Sequence, residues 1–331
     1  MPINRSQRIK EKAAEMGFLA CGIIPMPAFD EYNKALDQRI ESFPESRELY
    51  EPLYNQTKKI ENAKTLIVCT QSYNNYRVPE SLNGLIGKMY LFDSRLSYSE
   101  EYRARQEFES FLKTLGIEFL QGSVPARWAA AKAGVGKFGR NNFIYDPVHG
   151  SYLTILTWVT DTELEYDEPV EAGLTGTTQA DTTLAEGCSE NCRKCINTCP
   201  TGALNDSLSM NRGKCIAELS FFAKELPDEE TQTKMGRWIY GCDACQDCCP
   251  MNSAEDRGVE AGASARAKKD FPLLGDYEKF LKPEFIINMD QVTYENIINP
   301  RFWYMGKDNL WLWKANALRN MANSGSYHHG D

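Results

Sequence analysis

Two stretches, "CSENCRKCINTCP" at 188–200 and "CDACQDCCP" at 242–250, hold eight of the chain's eleven cysteines. The first reads Cys188-x3-Cys192-x2-Cys195-x3-Cys199-Pro200. The second reads Cys242-x2-Cys245-x3-Cys249-Pro250, with Cys248 extra. Between them lies Cys215, in "NRGKCIAE". Tight C-x2-C spacing lets one loop offer several thiolates to one metal centre, and the C-x3-C-Pro step carries the last cysteine away into the start of a helix. In two-cluster ferredoxins that cysteine ligates the other cluster. Applied here, the crossing rule gives two complete sets. Cys188, Cys192, Cys195 and Cys249 would hold one [4Fe–4S] cluster, and Cys199, Cys215, Cys242 and Cys245 the second. Four-cysteine zinc sites also use C-x2-C pairs, but the C-x3-C-Pro endings and the crossed count favour iron–sulfur. Three residues separate Cys188 from Cys192 where ferredoxins usually have two. Cys248 adjoins Cys249, and both the x3 spacing and Pro250 select Cys249 as the ligand.

The chain has 331 residues, 42% hydrophobic and 25% charged, enough for two or three domains with a sizeable core. A net charge of −9 argues against a broad basic surface for nucleic acid. The N-terminal "MPINRSQRIKEKAAEMGF" has no apolar leader core and no twin arginine. No run reaches the roughly 18 apolar residues of a membrane span. The expectation is a cytoplasmic protein without a membrane association. Thiols stay reduced in that compartment, so clustered cysteines point to metal or redox work.

Residues 4–16 read as an amphipathic helix with Ile9 and Ala13 on one face and Gly17 just past its end. "FLACGII" and "TLIVCT" read as buried strands whose Cys21 and Cys69 are core thiols. Ser97 and Glu100 have capping-box spacing ahead of a helix striped by Phe108, Phe111, Leu112 and Leu115. Residues 126–133 continue as a helix into the glycine-punctuated "AGVGKFGRNN", and "SYLTILTWVT" reads as a further strand. This alternation predicts an α/β domain up to about residue 160. An acidic, Thr/Gly-rich connector follows at 160–187. The last 60 residues carry Trp303, Trp311 and Trp313, and are expected to pack back on the body.

Six stretches, "IKEKAAEMGFLACGI", "AKTLIVCTQSYN", "AGVGKFGRNNFIYDPVHGSY", "CINTCPTGAL", "GCDACQDCCPMN" and "ALRNMANSG", occur in an order that resembles the epoxyqueuosine reductases. They also resemble the related catalytic subunits of reductive dehalogenases. The resemblance implies an α/β, nitroreductase-like, cobalamin-binding domain followed by a bacterial two-cluster ferredoxin-like domain. The expected boundaries are 1–180 for the α/β domain with its connector, 181–260 for the cluster domain and 261–331 for the C-terminal segment. A base-off cobalamin would lie between the two domains, with one cluster beside it to reduce the cobalt. Gly136, Lys137, Arg140, Asn141, Ser151, Tyr152, Asp243 and Ala244 would line the cofactor site. Lys137 and Arg140 read equally as exposed cations of a glycine turn. "DPVHGS" misses the D-x-H-x-x-G spacing that supplies a histidine ligand, and His149 reads as a turn residue.

Two departures shape the functional expectation. Epoxyqueuosine reductases use an aspartate as proton donor ahead of the AG-x-G turn; an ungapped reading places Leu120 there, with Glu118 the nearest carboxylate upstream. Arg140 stands where those enzymes often have lysine. The dehalogenases use a tyrosine with a nearby cation, which makes Tyr90, Tyr98 and Tyr102 candidate donors, with Arg140 the candidate cation and Tyr152 a further phenol. The leading expectation is therefore a cobalamin-dependent reductase acting by reductive elimination on a small substrate, fed by an external donor such as ferredoxin or flavodoxin. The alternatives are epoxyqueuosine reduction on tRNA, an electron-transfer activator of a partner corrinoid protein, and a non-catalytic corrinoid carrier.

Overall fold

The computed structural model describes residues 4–57, 62–93, 95–96, 99–168, 184–253, 268–272 and 274–325. A first helix, α1 (Arg5–Glu15), is capped by Asn4, whose side chain accepts the Gln7 amide at 2.7 Å, and ends before Gly17 at φ +79°. It leads into β1 (Ala20–Pro25). α2 (Asp30–Ser42) and β2 (Thr65–Ser72) follow. Next come α3 (Glu100–Thr114), the short edge strand β3 (Leu120–Gln121) and α4 (Ala126–Lys132). A tight hairpin, β4 (Lys137–Phe138) and β5 (Ile144–Tyr145), precedes β6 (Leu153–Thr160).

β1, β2, β6 and β3 form one sheet in that order, with every pairing antiparallel. All eight residues of β2 are buried, because helices cover both faces. Leu66 and Val68 pack with Leu36 and Ile40 of α2 and Ala129 and Ala130 of α4. Ile67 and Cys69 face the other way, onto Ile9, Ala13, Phe108 and Leu112 of α1 and α3. The two-residue period of the strand thus divides one continuous apolar run between two cores. Continuous apolar runs are the usual mark of parallel strands; here an antiparallel sheet needs the same composition because it too has no wet face. Cys21 and Cys69 are direct cross-strand partners in the core.

α3 begins at Ser99, whose hydroxyl accepts the Tyr102 amide at 3.0 Å. The cap is therefore Ser99, and Ser97 lies outside the described residues. Two serines near the helix start offered the same chemistry, and spacing to a glutamate chose the wrong one.

The cysteine motifs sit on short elements: α5 (Lys194–Thr198), the ribbon β7 (Leu204–Asp206) with β8 (Ser209–Met210), α6 (Ile216–Phe222) and α7 (Ala244–Asp247). A third core joins Tyr73, Ile86 and Phe92 to Ile239 and Tyr240 and to Phe271, Phe302 and Trp313. The last helix, α8 (Leu310–Asn323), works as a clamp on the approach to Cys242. Arg319 donates to the carbonyls of Gly236, at 2.7 Å, and Trp238; Asn320 donates to the Arg237 carbonyl and Asn323 to Gly236, at 2.9 Å. "ALRNMANSG" is thus a set of side-chain donors satisfying a loop that has no ladder partner of its own. Trp313 is fully buried and Trp311 is exposed. Among the described residues, no helix is long and apolar enough to cross a membrane.

Candidate redox site

The cysteine thiols sort into two groups by which of them act on one another. In the first, burial pushes Cys195 up to about 12, helped by Cys248, Cys188 and Cys249. Cys249 is likewise raised by burial and then by Cys188 and Cys192, while a hydrogen bond with Tyr145 opposes the shift. In the second, burial raises Cys242, with Cys215 and Cys199 adding to it. Cys245 is pushed well above its ordinary value by burial and then by Cys242, Cys215, Cys199 and Cys195. Cys215 is raised by burial and by Cys199. Cys195 belongs to the first group and acts on Cys245, so the two groups lie within electrostatic reach of each other. Cys195 feels Cys248 more strongly than Cys249, yet it is Cys249 that acts with Cys188 and Cys192, while Cys248 bonds Thr198.

Buried thiols crowded this way hold their protons until a metal centre displaces them. Among the described residues, no three His, Cys, Asp or Glu side chains close tightly enough to hold a single ion. A cubane asks for a wider set, since each thiolate binds a different iron. The donor chemistry fits two such clusters.

The hairpin β4–β5 joins the α/β body to both thiol groups. A Cβ on Gly136 would meet Ile144 at 2.4 Å, and one on Gly139 would meet the Tyr145 ring at 2.2 Å. The glycines of "AGVGKFG" thus let the hairpin fold against itself, where the sequence suggested close approach to a ligand. Arg140 is buried, 7% exposed, and its Nη2 donates to the carbonyls of Ser189 at 3.3 Å and Glu190 at 3.1 Å. That position removes it from the role of cation beside a substrate. Asn141 donates to the Cys245 carbonyl at 2.9 Å and to the Tyr145 hydroxyl at 3.0 Å. Lys137 is half-exposed and paired with Glu186 at 3.5 Å. Ser151 is buried, with its hydroxyl and carbonyl engaged by Gln246 and its amide donating to Asn252 at 2.7 Å, so it ties the start of β6 to the second cysteine motif.

Around the second thiol group lies a wall of phenols and cations. Tyr152 bonds Asp247, and Lys88 bonds Asp247 and lies 4.8 Å from the Tyr152 ring centre. Asp243, between Cys242 and Cys245, accepts the Lys88 amide at 2.7 Å; burial raises its carboxyl to about 6, against the pull of Lys88. Ala244 opens α7 beside it. Tyr90 packs edge-on to Tyr240 at 5.0 Å and Phe221 at 5.1 Å. Burial raises its phenol well above the usual value, with Tyr304, Tyr240, Tyr73 and Asp243 adding to the shift.

Arg127, on α4, escaped the sequence reading. Desolvation lowers its guanidinium, and Tyr90, Cys245, Tyr73 and Cys215 lie within electrostatic reach of it. It stacks 4.3 Å from the Phe143 ring centre, and no hydrogen bond or ion pair holds it among the described residues. The one signal in the sequence was an arginine on the inward turn of "PARWAAAKAG". Of the other candidates, Tyr102 stacks under Arg105 on α3, whose apolar stripe packs on the sheet, and Tyr98 lies outside the described residues. Leu120 is 53% exposed on the edge strand β3. His149 closes a turn, its amide and ring nitrogen both bonded to the Asp146 carboxylate, at 2.7 and 2.9 Å.

Residues 188–252 match the family described as a 4Fe-4S double cluster binding domain. The chain is 27% identical over 264 residues to the epoxyqueuosine reductase of Cyclobacterium marinum, covering 75% of this chain and 79% of that one. It is 36% identical over 135 residues to the enzyme of that name from Bacillus subtilis, covering 41% of this chain and 31% of that one. In fold it resembles the epoxyqueuosine reductase of Streptococcus thermophilus, with a TM-score of 0.67, 22% identity, and 97% of this chain and 82% of that chain covered. It also resembles an epoxyqueuosine reductase crystallised with a modified tRNA-Tyr stem loop, at a TM-score of 0.65 and 21% identity, covering 96% and 80%. The chain is thus of mixed α/β fold with a double [4Fe–4S] domain, similar in sequence and architecture to epoxyqueuosine reductases.

Proposed function

We propose that this chain is a cobalamin-dependent iron–sulfur oxidoreductase that removes an epoxide oxygen from a queuosine-type nucleoside carried on tRNA. The observation that carries the substrate is the alignment through 79% of the Cyclobacterium marinum protein, which bears the epoxyqueuosine reductase name. The small free substrate expected from the net charge of −9 and from Leu120 gives way to this reading.

Cys188, Cys192, Cys195 and Cys249 would hold the outer cluster, and Cys199, Cys215, Cys242 and Cys245 the inner one, within reach of Arg127 and Tyr90. Cobalamin, when bound there, supplies a cobalt that takes up electrons singly and passes them to a carbon–oxygen bond. An epoxide plus two electrons and two protons yields an alkene and water. The electrons come from an external donor of the ferredoxin or flavodoxin kind. Arg127, accessible and unpaired, suits an acceptor on the corrin or the substrate. His149 is tied to Asp146 and is the one histidine among the described residues, so it would not serve as a ligand to the cobalt. Tyr90 takes the place of the absent carboxylate. Its phenol is protonated near neutral pH and lies within electrostatic reach of Arg127, a cation that would favour its proton loss.

Anaerobic reconstitution tests the reading. The expected protein carries about eight irons, binds cobalamin with a base-off EPR signal, and converts an epoxyqueuosine-containing anticodon stem loop to the deoxygenated nucleoside. Fewer than about five irons, or zinc in their place, sinks the cluster assignment. Reduction of the free nucleoside but not of the stem loop restores the small-substrate reading. Cluster loading without cobalamin binding favours a partner's activator, a reading that Leu120 also suits.

A further inference from the structure

Arg140 is a buried cation without a carboxylate partner among the described residues. Its Nη2 spans the Ser189 and Glu190 carbonyls, its own carbonyl accepts the Leu208 amide at 3.0 Å, and its buried Nε–H has no acceptor. An ion buried this way is strongly unfavourable unless a counter-charge offsets it, and neutral carbonyls meet only part of that need. The loop it grips is the three-residue span between Cys188 and Cys192, one residue longer than the usual ferredoxin loop. The Ser189 carbonyl there also accepts the Cys192 amide, at 3.0 Å. The neighbouring Asn141 reaches the Cys245 carbonyl with a neutral amide. One turn of the hairpin therefore touches both cluster loops and brings a charge to only one of them.

The geometry points to Arg140 as the built-in counter-charge of the outer cluster, a positioning residue that raises the reduction potential of that cluster alone. This rests on the two-cluster reading above. An iron–sulfur centre with four thiolates is anionic and gains a further negative charge on reduction. A fixed guanidinium beside its loop, in a poorly screened interior, favours the reduced form. The longer loop supplies the carbonyls that hold the guanidinium in place. Electrons arriving from a donor then settle first on the outer cluster.

The test is an EPR-monitored redox titration of the reconstituted, cobalamin-free full chain, so that cofactor binding and turnover do not enter. In Arg140→Gln one cluster should become about tenfold harder to reduce, ~59 mV lower for one electron, with the other unmoved. Arg140→Lys, which keeps the charge and loses the fork, should stay within about twofold of the parent. Unshifted potentials in Arg140→Gln, equal shifts in both clusters, or a tenfold shift in Arg140→Lys would each overturn the proposal. Loss of four irons from both variants would overturn it too, because Arg140 would then build the loop without tuning it. Loss from Arg140→Gln alone, with Arg140→Lys intact, supports the need for charge. A parent protein that fails to hold two clusters breaks the underlying reading instead, so the two failures are distinguishable.

Discussion

The two thiol groups share a ligand chemistry and differ in everything around them. The outer group is bordered by backbone carbonyls, Arg140 and the Tyr145 hydroxyl, with Ser189 and Glu190 of its loop exposed. The inner group holds the thiols raised furthest, Cys245 and Cys242, and shares its surroundings with Arg127, Tyr73, Tyr90 and Asp243. Ligand type alone gives a pair of electron stores. The walls differ: exposed loop residues and Arg140 border the first group, while Arg127, Tyr73 and Tyr90 lie within electrostatic reach of the second.

Substitutions can break that asymmetry. The largest effect is expected from Cys245→Ser, which removes an inner ligand. Iron should fall from about eight to about four per chain, and turnover should vanish while the outer cluster's EPR signal survives. Retention of activity would mean that the inner cluster is not the one that feeds turnover. Tyr90→Phe should keep iron and cobalamin binding and lower turnover roughly hundredfold, the scale of a lost general acid. A rate within about threefold of the parent would return the proton to water or to another group. Arg127→Gln should weaken cobalamin or substrate binding about tenfold, the scale of one charge-assisted hydrogen bond. Equilibrium titration of cobalamin with the iron-loaded chain separates the two ligands, and unchanged affinity for both would leave Arg127 a structural cation. Cys248→Ser is expected to change neither iron content nor EPR. A loss of about four irons there would exchange Cys248 for Cys249 in the outer set.

Legibility differed between these same regions. The cluster motifs could be read because thiolate geometry demands cysteines at short fixed spacings, and local sequence records that demand directly. α1 was equally plain, since Asn4, the Ile9/Ala13 face and Gly17 each act within a turn or two of chain. The cap of α3 was misplaced because Ser97 and Ser99 are chemically alike and only the backbone path chooses between them. Arg140 illustrates a harder failure. Its place in a glycine turn suggested a surface cation or a cofactor contact, and nothing nearby in sequence announces that carbonyls some 50 residues on will enclose it. Arg127 was missed for the converse reason: an arginine on an alanine-rich helix looks solvated until the opposite wall, built from residues 73–90 and 215–245, is in place.

By itself, then, the amino-acid sequence determined the double [4Fe–4S] cysteine motif and the α/β composition of the body. Those follow from residue type and short-range spacing. The tertiary structure alone decided the antiparallel pairing of the sheet, the burial of Arg140 against the Ser189 and Glu190 carbonyls and the hold of α8 on the carbonyls of residues 236–238. Each of these depends on contacts between segments far apart in the chain, where long-range packing sets the outcome and local preference carries no record of it.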